Sequence, residues 1–406
     1  MAGPTISEAD AAAAPAAEIV LFDFISHENM HLPFNEEYLR MLRAAFPDDR
    51  ILFHACAGHV ANLKARVADL SGIVFADCPP FTPPFGLSRH SLVGGRWAAQ
   101  GCRSQMARAL AGRNPRLVTL LGVDAHLYAV VGRQWPVISR APLHMILHGQ
   151  LGDAMVWRSR NPVARAFDIV SEVQRPLPKS VRLVALELGV ADAIAELAPA
   201  NRSVITMEHP VLRSEWSPQS PFRSGDRLKI GFIGNARRSK GFEVFVNLAV
   251  NAGRDDIAFE SIGIAAPDTD HLDVSALARK PSRTSLSREE YLAATRDLDI
   301  VCLPLHGRAY DFTASGTLAD AVAALKPLLA FRSRTLDAVV ARYGPIGWLV
   351  DSEAELFYLV QTLDIAAFRE ARPAWVENLK KIREARTPEA VATVYAQLVA
   401  ETPHAA

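Results

Sequence analysis

Four cysteines in 406 residues, Cys56, Cys78, Cys102 and Cys302, are too few and too scattered for a disulfide framework, and none forms a C-x-x-C pair. They suit buried apolar positions in a reducing compartment. No uninterrupted apolar run approaches the roughly 18 residues that span a bilayer. The leading stretch MAGPTISEADAAAAPAA carries acids and no basic segment, which speaks against a secretory signal. Its Ala/Pro bias reads as a disordered tail over residues 1–17. Net charge is lacking too, since 44 Lys and Arg balance 44 Asp and Glu. With 50% hydrophobic and 22% charged residues, the chain is an ordinary globular one, long enough for two domains.

Several chemical signatures are also missing. The stretch SHENMHLPFN contains His27-Glu28-x-x-His31, the spacing of a zinc-protease helix. It follows the strand-like EIVLFDFI, and Pro33 comes two residues after His31. The expectation is a strand, then a loop holding His27 and His31, then a helix capped by Asn35 with Glu36 and Glu37 in its first turn. The extended zinc motif is absent. No D-x-D directly follows a strand-like run, and no lysine-rich cluster or nucleic-acid motif stands out, so neither a bound metal nor nucleic acid is expected.

The zero charge hides an asymmetry. Residues 89–182 hold fourteen Lys or Arg against four Asp or Glu, a net +10, with Trp97, Tyr128, Trp135 and Trp157 among them. Such a stretch suits an anionic membrane surface or phosphate.

What is present is alternation. Seven strand-like runs come first: EIVLFDFI, RILFHACA, GIVFAD, RLVTLLG, LHMILHG, RLVALE and SVITMEHP. A Ser/Pro-rich segment, 213–226, reads as a linker. Five more runs follow: LKIGFIG, FESIGI, DIVCLPL, PLLAF and GWLV. Ser287 with Glu290, and Ser352 with Glu355, have capping-box spacing, and Thr387-Pro388 starts a last helix. The pattern implies an α/β chain of two doubly wound, Rossmann-like domains facing a cleft. The boundaries are 18–212 for the first domain, 227–370 for the second and 371–406 for terminal helices.

Two stretches carry chemistry. IGFIGNARRSKGFEVFVNLA, residues 230–249, ends a strand at Gly234 and runs through Asn235, Arg237, Arg238 and Lys240 into a helix. It is neither G-x-G-x-x-G nor a Walker loop, but three cations at a helix start suit an anion. LPLHGRAYDFTASGTLADAVAALKPLLAF, residues 303–331, opens a helix at Ser315-Gly316-Thr317, whose free N–H groups and hydroxyls can cradle a diphosphate. Asp320, one turn on, can accept from ribose hydroxyls.

Together these stretches resemble the donor half of the GT-B glycosyltransferases, over roughly residues 228–360. The resemblance implies that Arg237 or Arg238, with Lys240, meets the donor diphosphate, and that Asp320 takes the ribose place. The glutamate that many retaining members carry eight positions earlier is Phe312 here, with Asp311 and Tyr310 beside it as substitutes. The resemblance implies a cytoplasmic, metal-independent transfer of sugar from a nucleoside-diphosphate sugar to a saccharide or lipid-linked saccharide in cell-surface polysaccharide synthesis. His27, His148 and Asp311 are the catalytic candidates, with Asp23 a further base, and His31 and Asn35 lie on the acceptor side. A sugar-nucleotide epimerase and a non-catalytic sugar-nucleotide-binding protein are the alternatives.

Overall fold

The computed structural model describes residues 17–78, 81, 87–88, 91–156, 158–216, 227–305 and 308–405. Most of the tail, residues 217–226 of the linker and Trp157 therefore lie outside the described residues.

Twelve strands form two sheets. The first comprises β1 (Glu18–Phe22), β2 (Arg50–Ala55), β3 (Ile73–Asp77), β4 (Leu117–Leu121), β5 (Leu143–Leu147), β6 (Val181–Ala185) and β7 (Val204–Thr206). Their order is β3-β2-β1-β4-β5-β6-β7, all parallel. The second comprises β8 (Leu228–Ile233), β9 (Ile257–Ile262), β10 (Ile300–Leu303), β11 (Leu328–Phe331) and β12 (Gly347–Val350). Its order is β12-β11-β10-β8-β9, again parallel. Each of the twelve apolar runs in the sequence overlaps one strand.

The runs are nearly continuous in apolar residues because both sheet faces are covered. On β1, Ile19 and Leu21 enter one core while Val20 and Phe22 enter the other, all 0% exposed. Each such burial stabilises the fold by about 1.5–3 kcal/mol.

The helices that matter for the cleft are α1 (Leu32–Ala45), α2 (Ala57–Arg66), α3 (Leu92–Leu110), α4 (Gln150–Val156) and α5 (Leu188–Leu197) in the first domain. In the second they are α6 (Phe242–Asn251), α7 (Arg288–Arg296), α8 (Arg308–Asp311), α9 (Gly316–Ala323) and α10 (Arg334–Tyr343). They are followed by α11 (Ile365–Ala385) and α12 (Pro388–Ala400). Helix α1 starts three residues before the expected Asn35. Proline is tolerated in a first turn, where its missing N–H would be unpaired anyway, so Pro33 does not delay the helix. His31, in left-handed geometry, takes the cap position.

The chain crosses between domains before β8 and returns at Arg386, where the Val211 N–H donates to the Arg386 carbonyl at 2.7 Å. The Arg386 guanidinium, 1% exposed, makes two bonds to the buried Glu187 carboxylate at 2.8 and 2.7 Å. After that pin, α12 packs against α1 of the first domain. There Tyr395 joins Tyr38 at 2.6 Å and His144 at 2.8 Å.

Candidate active site in the interdomain cleft

In open α/β sheets ligands bind beyond the carboxyl ends of the strands, where the winding direction reverses. Those reversals fall between β1 and β4 and between β8 and β10. The loops leaving β1, β5 and β7 face those leaving β8 and β10 across a cleft of about 350 Å³.

The second domain supplies the charged wall. Beyond β8 the chain turns through Gly234, at φ 90°, into the loop ending at Lys240 and Gly241. Gly241 sits at φ 75°, and a Cβ there would lie 1.8 Å from the Pro304 carbonyl oxygen. No other residue allows the β8 and β10 loops to touch this way. Lys240 lines the cleft, and among the described residues its ammonium has no ion-pair partner. Burial lowers its pKa, Asp320 opposes that shift and Arg237 adds to it. Arg237 is exposed, whereas Arg238 is engaged by Glu243 at 3.0 Å. Asn235 is half-buried, with no partner for Oδ1 among the described residues.

Helix α9 points its N-terminus at the same space. Ser315 caps it and shares a 2.7 Å hydrogen bond with Thr317, while open space surrounds Gly316. Asp320 follows, but it is not idle. Arg288 donates to its Oδ1 and the Tyr291 hydroxyl to its Oδ2, both at 2.8 Å. Arg288 also grips Glu215 through two bonds at 2.8 and 2.6 Å. Burial works against the charge of Arg288, yet Asp320 and Glu215 outweigh it and raise the pKa. Glu215, from the crossing segment, lies 3.9 Å from Arg66 of the first domain. Its carboxylate thus sits between an arginine of each domain.

The first domain supplies an uncharged wall. Asp23, at the end of β1, accepts from the Ile25 and Ser26 N–H groups and from Asn35 Nδ2. Asn35 is 0% exposed and also bonds His59 at 2.8 Å, so it shapes the β1 loop from within instead of facing the cleft. His31 stacks on His148 at 4.4 Å, and Phe34 sets its ring against both His148 and His209. Burial holds His148 well below the ordinary imidazole value, with His31 and His209 adding to the shift. Burial likewise lowers His31, and takes His209 down to about 4. Glu37, beside His209 at 3.3 Å, is raised well above the carboxylate range by burial, then by Glu215 and Asp320. Both shifts favour the neutral form, which disfavours an ion pair at this contact.

Of the residues singled out from sequence, His31, His148, Lys240, Gly316 and Asp320 meet in the cleft. His27 is exposed on the turn before α1 and does not line it. His27, Glu28 and His31 do not share a helix face, since Glu28 and His31 both have left-handed backbones. Asp311 accepts from the Arg334 N–H at the start of α10, and Tyr310 lines a separate small cavity with Thr313 and Ser315. Phe312, 7% exposed, belongs to the apolar core of the first domain. Helix α8 packs on α4, where a Cβ on Gly152 would lie 2.0 Å from Thr313 Oγ1 and 2.3 Å from the Ala309 carbonyl oxygen. Phe312, where the resemblance led to the expectation of a glutamate, is here an anchor between domains. Glu37, Arg288, Tyr291 and Glu215 were missed, because only tertiary structure brings them to Asp320.

No protein-family model and no curated protein matches the chain. Solved structures match it along almost its whole length. HepE of Anabaena in complex with UDP has a TM-score of 0.63 at 12% identity, over 94% of this chain and 99% of that one. Sucrose-phosphate synthase of Thermosynechococcus elongatus has a TM-score of 0.65 at 11% identity, over 95% and 98%. The lipopolysaccharide glycosyltransferase WaaG has a TM-score of 0.60 at 11% identity, over 94% and 99%. The chain has the GT-B fold. At these identities the likeness speaks for the fold, and the chemistry rests on the cleft.

Proposed function

We propose that the chain transfers a sugar from a nucleoside-diphosphate sugar to a saccharide or lipid-linked saccharide acceptor. The observation that carries this reading is a half-buried lysine, with no ion-pair partner among the described residues, and an open helix N-terminus facing one cleft at the reversal point of the second domain's sheet. Such groups are preorganised for a leaving diphosphate, whose charge grows as the glycosidic bond breaks. Lys240 and the N–H groups at Ser315 to Thr317 take that charge, with Arg237 at the mouth, and the reading assigns this work to them without a metal. His148 and His31 face the reacting centre from the first domain. UDP or UDP-glucose in HepE supports trying uridine donors first.

The membrane-side acceptor is supported by exposed Val93 (66%), Trp97 (41%) and Val137 (77%) in the basic stretch 89–182. Among the described residues no helix is long and apolar enough to cross a membrane, so the reading is of a protein held at the inner face of a membrane, in surface-polysaccharide synthesis. Pelleting with anionic but not neutral vesicles is the expected result, and equal recovery in both supernatants would remove this part.

The donor test is a thermal-shift screen of UDP, GDP, ADP and dTDP in EDTA. A ligand at a hundred times its Kd stabilises by about 2.7 kcal/mol. One diphosphate should give a shift, and Lys240→Ala with Arg237→Ala should abolish it. No shift with any diphosphate would end the donor reading.

A further inference from the structure

We infer that Glu37 is the side chain with which the first domain recognises an uncharged sugar ring, through a hydrogen bond to one of its hydroxyls. The inference rests on the function proposed above and deepens it. Its basis is a contrast between neighbours on α1. Glu36 is fully engaged by Arg40 and Arg66. The Glu37 side chain is 4% exposed, lines the cleft, and has no hydrogen bond to Oε2 among the described residues. The nearest nitrogen, His209 Nδ1, already directs its hydrogen to the Pro210 carbonyl at 2.9 Å. A buried carboxyl left without a partner is unfavourable, whereas a methionine of similar shape would not be. A hydroxyl in the cleft, opposite Gly316 and Asp320, supplies the missing partner.

The surroundings select the ring's chemistry. His31, Phe34, His148 and His209 present uncharged rings, while Glu215 and Asp320 add negative charge nearby. A sugar carboxylate placed against Glu37 would meet repulsion and no cation of its own, since Arg288 is occupied by Glu215 and Asp320 and the proposed function gives Lys240 to the diphosphate. A neutral hexose is therefore the class that fits, either as the transferred sugar or as the acceptor.

The test is titration calorimetry in EDTA on the full chain, wild type against Glu37→Met and Glu37→Gln. The probes are UDP with UDP-glucose and UDP-glucuronate, GDP with GDP-mannose, and maltose added to diphosphate-saturated protein. In Glu37→Met the preference for the sugar nucleotide over its diphosphate should fall about tenfold, the worth of one hydrogen bond. Diphosphate affinity should stay within about twofold, and the unliganded Tm should hold or rise, which a structural role would not allow. Glu37→Gln should retain part of the preference. Wild type should bind UDP-glucuronate at least about tenfold more weakly than UDP-glucose. A loss confined to maltose assigns the hydroxyl to the acceptor. An unchanged preference in both arms of Glu37→Met, with diphosphate binding intact, overturns the inference alone. Absence of diphosphate binding in wild type overturns the donor reading and this inference with it.

Discussion

The two walls of the cleft are built from opposite materials. The second domain offers Lys240 and the open end of α9, whereas the first offers Phe34 and three histidines whose charged form burial disfavours. A diphosphate needs fixed positive charge, and a sugar ring needs neutral groups that can donate and accept. On the proposed reading, the contrast means that the cleft divides the two halves of one substrate between the domains. The walls also differ in how they are held. The charged wall hangs on the ion relay through Glu215, and the neutral wall hangs on packing and on hydrogen bonds that Asp23 accepts, one of them from Asn35.

The largest effect that could break this comparison lies at Phe312, which belongs to the charged domain by sequence and to the neutral one by packing. Phe312→Ala should cost about 3 kcal/mol of stability, as a phenylalanine removed from a core does. Phe312→Glu should cost at least as much and give no gain in transfer, because the carboxylate would have to enter the first domain's core. Urea unfolding and turnover on one preparation measure both. A Phe312→Glu protein as stable as wild type and faster with sugar nucleotide would return this position to the donor site.

Next in size is Arg288. Arg288→Ala leaves Glu215 and Asp320, both mostly buried, without their shared cation, and should cost about 3 kcal/mol. Arg332→Ala, which breaks an exposed pair with Asp337, should cost no more than about 0.5 kcal/mol. Equal losses in the two variants would mean that the relay does not hold the charged wall.

The strands were legible because strands buried on both faces leave continuous apolar runs, as in EIVLFDFI and DIVCLPL. So was the helix start at Ser287, where both halves of the capping box form. At Ser352 only the serine caps its helix, and Glu355 instead accepts from the Asp351 N–H. Loop position placed His148, Lys240, Gly316 and Asp320 at strand ends, and hence in the cleft. What local pattern misses is where a polar side chain is spent. Asn35 has the chemistry of a helix cap, yet Asp23 and His59, twelve and twenty-four residues away, take its amide. Glu36 and Glu37 read alike in a helix's first turns, and only the packing of α1 against the cleft separates a paired carboxylate from a stranded one. The ion relay joins α2, the crossing segment and α7, which no short window of sequence contains.

Acid sharpens the comparison with the smallest effect, because the neutral groups buried on the first domain's side are mostly histidines. His144 is the clearest case. It is 0% exposed, and its ring nitrogens bond Tyr395 at 2.8 Å and Thr402 at 3.0 Å, so it ties α12 to β5. Burial lowers its pKa to about 3, with Arg182 adding to the shift. The unfolded chain holds this imidazole near the ordinary value of about 6.5. Between those values the unfolded state binds the proton and the folded state does not, so stability is fully present above about pH 6.5 and falls as the pH drops towards 3. At pH 5 the loss assigned to His144 is about 2 kcal/mol. His31, His148 and His209 are lowered in the same direction, so wild type alone cannot isolate one ring. The difference from His144→Gln does. Urea unfolding at pH 7.5 and pH 5 should show wild type losing about 2 kcal/mol more than the variant. Parallel losses in the two proteins would move the acid sensitivity to the histidines of the cleft wall.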